Sequence, residues 1–488
     1  MHLAELLAVR AANHPDKIAF AMRGATVTYR ELWNDAGLLA RGLAARGVRP
    51  RDRVALILPA GLEFVRLFWA IQRLGATSVA FNPFVPEETA TKRAERVKPK
   101  LIVRGGQAIT PVPSVDEDED EGQAGLPDLH SEDLAFLQPT SGTTGESRAV
   151  MIAHRNLFAV LAAAAEALQI AANDVLVAWV PPWHDLGLVR FIIGTVYAGA
   201  TCHIVEPAVR TIPEWLETVS KVRGTISGAP DFAIRLAARL VDPATVDLSS
   251  LRYITNGGEA VRLSTIEAFE RRFNVPGIVL PGYGLAEATL GVTAMRPGER
   301  VRTDDRGNVS CGRTMPGVEV RIGEDGELLV RGDGVFAGYF EAEEATRASI
   351  VDGWLHTGDT AHVDADGHVY ILGRKRAMLK RGGAVLAPRE LEEAAQEVRG
   401  VKIACAVGIA SDSTEQLVVA IESDLDPAPL ALEVSRSIHR ALGFAPDRVI
   451  VLAPRSIPRT YNGKLRHDAL RQALASGDVA IVYDSRAT

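Results

Sequence analysis

The chain has 488 residues, more than one ordinary hydrophobic core organises, so two or more domains are expected. Hydrophobic residues make up 47% and charged residues 24%, the balance of a globular protein, and the net charge of -7 argues against a general nucleic-acid binder, which carries a basic face. Cys202, Cys311 and Cys405 are far apart and form no CxxC or Cys/His cluster. That spacing argues against structural zinc and against a disulfide framework, and favours a reducing cytoplasm. The N-terminal stretch lacks the apolar core of a signal peptide, and no apolar run reaches the roughly 18 residues of a membrane span.

Along the first hundred residues, helix and strand patterns alternate. "YRELWNDAGLLARGLAARGV" has apolar residues at helical spacing and ends on glycine. "RVALILP" predicts a short buried strand, and "FVRLFWAIQRLGATSVAFNP" a helix followed by a strand. This βαβ rhythm predicts a largely parallel sheet. Asp116 to Glu121, an unbroken acidic run after a Pro-Val-Pro turn, predicts a solvated loop. The rhythm resumes at "LAFLQPTSG", and "LVAWVPPWHD", "TCHIVEP" and "GTISGAP" each run from apolar strand into turn. Ligands in such sheets bind beyond the carboxyl ends of the strands, where these turns fall. From about 311 the texture changes to short strands with glycine turns, which predicts a small β-rich subdomain over 311–373. After the basic segment Arg374–Arg381, alternation returns as a separate small α/β domain.

"TSGTTGESRAV" combines glycine, hydroxyls and a cation. Thr140, Ser141, Thr143 and Thr144 offer hydroxyl donors. Gly142 and Gly145 expose backbone N–H groups, and Arg148 adds fixed charge. Such a loop suits a polyphosphate. It lacks the Gly-Lys-Ser/Thr of a P-loop. Further marked stretches follow in order: "WVPPWHDLGL" with Trp183, His184 and Asp185; "NGGEAVR" with Gly258, Glu259 and Ala260; "PGYGLAEATL" with Gly282, Tyr283, Gly284, Leu285 and Glu287; "WLHTGD" and "ILGRKR" with Asp359 and Arg374; and "RTYNGKLRH" with Lys464.

In this order and spacing the stretches resemble the adenylate-forming superfamily of acyl-CoA synthetases, acyl-AMP ligases, peptide-synthetase adenylation domains and luciferases, with motifs most like fatty acyl-AMP ligases. The resemblance implies an α/β fold with two parts. Residues 1–373 form an adenylation core of layered, mostly parallel sheets, and 374–488 a small mobile C-terminal domain hinged near Arg376. It implies that ATP and Mg²⁺ activate a carboxylic acid to an acyl-adenylate, with pyrophosphate released. The acyl group then passes to the phosphopantetheine thiol of a carrier protein, or to CoA as in an ordinary acyl-CoA synthetase. Loop 140–148 would hold the β- and γ-phosphates and Glu287 the Mg²⁺. Gly258, Glu259 and Ala260 would line the adenine, with Tyr283 stacked on it and Gly284 alongside. Asp359 and Arg374 would reach the ribose. Lys464 would bridge the α-phosphate and the acid, and His184 would lie near the acyl and γ-phosphate side. The acid pocket would be built from Trp183, Gly228, Ala229, Pro230, Asp231, Gly282 and Leu285. Asp231 has two readings: a recogniser of an amino or hydroxyl group, or a cap of the helix that follows it.

The chain departs from the family in three places. Ser147-Arg148-Ala149 replaces Pro-Lys-Gly, Ala377 replaces the acid after the hinge, and only 17 residues, Ala294–Ser310, separate Thr293 from Cys311, where fatty acyl-AMP ligases carry an insertion. The motifs favour a carrier protein as acceptor and the length permits CoA. The altered loop and hinge leave a catalytically silent adenylate-binding protein as the alternative of another class.

Overall fold

The computed structural model describes residues 1–105, 109, 126–140, 148–381, 384–410, 415–459 and 465–486. Ser141, Gly142, Thr143, Thr144 and Gly145 lie outside the described residues, as do the acidic run, Gly382, Gly383, Lys464 and the side chain of Arg376.

Two large sheets make the body. The first has nine strands. Its parallel centre runs Val279–Tyr283, Tyr253–Asn256, Ile226–Ala229, Val175–Ala178, Thr201–Ile204, Ile18–Met22. Antiparallel strands close both edges: Ala25–Thr28 on one side, Thr293–Ala294 and Arg313–Thr314 on the other. The second has six strands, with Leu134–Pro139, Thr77–Ala80, Arg53–Ile57 and Leu101–Arg104 parallel, and Ala149–Ala153 and Gly338–Tyr339 antiparallel beyond them. Both Thr77–Ala80 and Ile226–Ala229 are buried at every residue, as strands covered on two faces must be. The helices expected from sequence form at Tyr29–Ala45 and Leu62–Leu74. The first starts where Thr28 and Glu31 satisfy each other's backbone N–H groups, at 3.2 and 2.7 Å.

One apolar core fills the space between the sheets, and a second lies under the helices Ile212–Val222, Asp231–Leu240 and Leu263–Phe273. An antiparallel five-stranded sheet covers Val318–Ile322 through Val369–Arg374. Beyond it, strands Ile403–Ala410, Glu415–Glu422, Arg448–Leu452 and Ile481–Asp484 form a four-stranded sheet whose two buried clusters contain no residue before Leu379. Polar contacts join this unit to the body: Arg262 Nε to Glu393 at 3.3 Å, Arg235 to Gln396 at 3.4 Å, and Arg389 to Asn308. Among the described residues no helix is long and apolar enough to cross a membrane. All three cysteines are buried and free.

Candidate functional site

Four of the six parallel strands of the nine-stranded sheet deliver a marked turn at their carboxyl ends. Val175–Ala178 leads to Trp183 and His184, Ile226–Ala229 to Pro230 and Asp231, Tyr253–Asn256 to Gly258, and Val279–Tyr283 to Glu287. The turn after Tyr283 is tight: a Cβ on Gly284 would sit 1.5 Å from the carbonyl oxygen of Leu290, so only glycine fits.

Two polar clusters lie close together. In the first, Asp359 faces Arg374 across an antiparallel pair. Asp359 is 5% exposed, receives the Tyr283 hydroxyl at 2.6 Å and lies 3.0 Å from Arg374 Nε. Burial and the neighbouring carboxylate both push the Tyr283 phenol well above its ordinary pKa, so it stays a hydrogen-bond donor. In the second cluster, the Tyr339 hydroxyl donates to Glu287 Oε1 at 2.8 Å, and the Arg148 guanidinium lies 5.2 Å from the centre of the Tyr339 ring. Burial first, then Glu287, raises the Tyr339 pKa to about 12. Arg374 links the two. Partial desolvation would lower its pKa, but Asp359, Tyr283, Glu287 and Tyr339 together outweigh this and raise it.

The hairpin formed by Leu134–Pro139 and Ala149–Ala153 closes at its base, where Thr140 N–H and Oγ1 donate to the Arg148 carbonyl at 2.8 and 3.2 Å. Arg148 thus stands at the end of this hairpin and at the edge of the Glu287 cluster. His184 Nδ1 lies 2.6 Å from Asp185 Oδ1, and its side chain is 43% exposed. Trp183 is buried edge-on against Phe84, 5.7 Å between ring centres, and its indole N–H has no partner among the described residues.

Asp231 and Glu259 do something the motifs do not reveal. Asp231 accepts the Arg262 N–H and the Thr265 hydroxyl, both at 3.0 Å, at the start of Leu263–Phe273. Glu259 accepts the Phe232 N–H at 2.6 Å, at the start of Asp231–Leu240. Each acid thus serves the helix that the other belongs to or precedes. Asp231 is 1% exposed with both oxygens occupied, so it staples two helices rather than greeting a ligand. Glu259 likewise turns its carboxylate to the helix start.

Three further residues escaped the sequence reading. Tyr339 orients Glu287 from 52 residues away. Asn256 is 1% exposed at the end of its strand, with neither amide atom partnered among the described residues. Buried amides without partners are rare, and one at a strand's carboxyl end suits a ligand edge. The third, Arg190, lies on a π-helix, Leu186–Ile193, which Asp185 caps just after His184.

The model of the AMP-binding enzyme family matches residues 7–340, and the chain belongs to that family of adenylate-forming ligases. A long-chain-fatty-acid–AMP ligase of Mycobacterium marinum is 29% identical over 570 residues, covering 96% of each chain. A methyl-dioxo-octahydroindenyl-propanoyl:CoA ligase of Rhodococcus jostii is 30% identical over 492 residues, covering 91% of this chain and 93% of its own. Among solved structures, the fatty acid AMP ligase of Legionella pneumophila is similar at TM-score 0.71 and 25% identity, over 99% of this chain and 97% of that one. The fold also matches a McyG adenylation–carrier structure complexed with phenylalanyl-adenylate, at TM-score 0.84 and 23% identity, over 98% of this chain and 96% of that one.

Proposed function

We propose that the protein uses ATP to activate a carboxylic acid as its acyl-adenylate and then transfers the acyl group to a carrier-protein thiol. The observation that carries this reading is the pair of polar clusters, Asp359–Tyr283–Arg374 and Glu287–Tyr339–Arg148, that Arg374 links. A nucleotide fits that polarity. Asp359 accepts both ribose hydroxyls, Arg374 supports it, and Tyr283 and the backbone of 258–260 face the base beside Asn256. Arg148 and the loop 140–148 neutralise the β- and γ-phosphates. A carboxylate oxygen of the acid attacks the α-phosphorus, the bond to the bridging oxygen breaks, and pyrophosphate leaves.

Glu287 is the residue suited to Mg²⁺. Tyr339 holds one carboxylate oxygen, and the other has no partner among the described residues. A hard cation takes such an oxygen and would neutralise phosphate charge there. Lys464 stabilises charge as the acid attacks, and His184 borders the acyl side. Catalysis in this scheme is positioning and charge neutralisation.

Residues 1–373 act as the adenylation core, and 374–488 rotate about Arg376 between the two half-reactions. The polar contacts at Glu393, Gln396 and Arg389 suit an interface that parts. CoA as acceptor is the second reading. It is favoured by the 17-residue stretch Ala294–Ser310 and by an alignment of 492 residues to the Rhodococcus CoA ligase against 570 to the Mycobacterium AMP ligase. The free, buried cysteines suit a reducing cytoplasm. Acid-dependent ATP–pyrophosphate exchange tests the first step. Thioester formation with CoA against a phosphopantetheinylated carrier decides the acceptor. Absence of exchange with fatty, aromatic, hydroxy, amino and dicarboxylic acids would overturn the adenylation reading.

A further inference from the structure

The linear spacing of the cysteines argues against zinc, but the fold makes a cluster that spacing does not show. Glu392 stands on helix Pro388–Gln396, Cys405 on strand Ile403–Ala410 and His467 at the start of helix His467–Ser476. Together they bring a carboxylate oxygen, a thiol sulfur and a ring nitrogen within 4.8 Å of one another. Among the described residues no other three acids, cysteines or histidines meet in this way. Glu392 and His467 are 75 residues apart in the chain. None of the three takes part in the adenylation chemistry above.

Each group is positioned from behind. Cys405 is wholly buried in a cluster with Ile457 and Leu470. Leu470 lies one helical turn after His467, so its burial turns His467 toward the same face of the sheet. Glu392 is 4% exposed, and its Oε1 accepts the Ala406 N–H at 3.0 Å and meets His467 Nε2 at 2.6 Å. A backbone bond of this kind orients a carboxylate that ligates a metal. Burial first, then Glu392, pushes the Cys405 thiol well above its ordinary pKa. A divalent cation reverses that balance, because it stabilises thiolate and carboxylate together.

We propose that Glu392, Cys405 and His467 form a Zn²⁺ site in the C-terminal unit, with water in the fourth position on the side where His467 is partly exposed. Thiolate and imidazole donors select Zn²⁺ over Mg²⁺ and Ca²⁺, which take oxygen. Tetrahedral Zn²⁺ sets its ligand atoms about 3.3–3.6 Å apart, a spacing that the cluster brackets. The ion replaces the proton shared by Glu392 and His467. Binding releases the Cys405 thiol proton to solvent, and His467 coordinates as the neutral ring through Nε2, with its proton on Nδ1. The site also clamps the foot of the segment that carries Lys464. Arg459 and Leu465 form an antiparallel bridge, the Arg466 N–H donates to the Pro458 carbonyl at 2.9 Å, and His467 follows at once. Zn²⁺ ties that foot to helix Pro388–Gln396 and strand Ile403–Ala410.

The test is titration of the reduced, chelator-treated full chain with Co²⁺ and then Zn²⁺, in excess Mg²⁺ to fill sites made of oxygen. Co²⁺ should give a thiolate-to-metal charge-transfer band and the visible bands of a tetrahedral ion, and a single Zn²⁺ per chain should bleach both. Cys405→Ser should remove the charge-transfer band. His467→Gln should weaken Zn²⁺ binding about tenfold or more. The Cys202→Ser, Cys311→Ser double variant should keep both signals, and it tests the site even if Cys405→Ser fails to fold. No charge-transfer band in the wild type, a band that survives Cys405→Ser, or a band lost from the double variant would overturn the proposal. So would Zn²⁺ affinity unaltered by His467→Gln, which would leave the contact with Glu392 a plain hydrogen bond.

Discussion

Asp359 is held by two neighbours, so its chemistry can be separated from its packing. The Tyr283 hydroxyl and Arg374 Nε both face its carboxylate. Asp359→Asn keeps the shape and removes the charge. Its kcat/KM for ATP in pyrophosphate exchange should fall on the order of 100-fold with the melting temperature little changed. An unchanged kcat/KM would remove Asp359 from the nucleotide site. Tyr339→Phe frees Glu287 and should cost about tenfold, with a shift in the Mg²⁺ concentration needed for half-maximal exchange. A loss independent of Mg²⁺ would mean that Tyr339 acts on packing alone. Elsewhere, His154 is 1% exposed with neither ring nitrogen partnered among the described residues, and burial lowers its pKa to about 4. The folded pKa lies below the unfolded one. The associated stability is therefore present above about pH 6.5 and lost as pH falls toward 4, amounting to about 2 kcal/mol by pH 5. His154→Leu should flatten the decline of melting temperature between those values; an unaltered slope would exonerate the histidine.

At the scale of elements, the exchanged acids hold the turns after two parallel strands in register. Asp231→Ala leaves the Arg262 N–H and Thr265 hydroxyl without partners at a buried helix start. Urea unfolding should show a loss of about 1–2 kcal/mol. No loss would mean that the staple is not stabilising, and would return Asp231 to the pocket. Sequence could name Asp231 but not the helix it serves: it offered a cap of the helix that follows, whereas its partners lie 31 and 34 residues further on, at the start of Leu263–Phe273. The parallel strands and their turns were legible because apolar runs ending in turn residues report burial directly. The short motifs marked Asp359 and Arg374 in the sequence, but not the strand pairing that sets them 3.0 Å apart. Tyr339 and Arg190 were not. Tyr339 reaches Glu287 only through the pairing of Gly338–Tyr339 with Ala149–Ala153, and the π-helix turns Arg190 by an amount that a period of 3.6 does not anticipate.

At the scale of the whole molecule, two half-reactions at one site call for two arrangements of the chain. The C-terminal unit has its own apolar core and meets the body here through polar contacts. Lys464 would serve the first half-reaction and leave for the second. Lys464→Ala should abolish adenylate formation yet spare thioester formation from a supplied acyl-adenylate. Loss of both would contradict rotation. The composition bounded the number of domains but held no information on their relative placement, which depends on contacts such as Arg262 with Glu393, 131 residues apart.

The chemistry common to all three scales is attack by a carboxylate oxygen on the α-phosphorus. Turnover of an acid labelled with heavy oxygen in its carboxylate, followed by mass analysis of the nucleotide, reads that bond directly. The account predicts one labelled oxygen in AMP and none in pyrophosphate. Unlabelled AMP, or label appearing in inorganic phosphate with ADP as the nucleotide product, would contradict it.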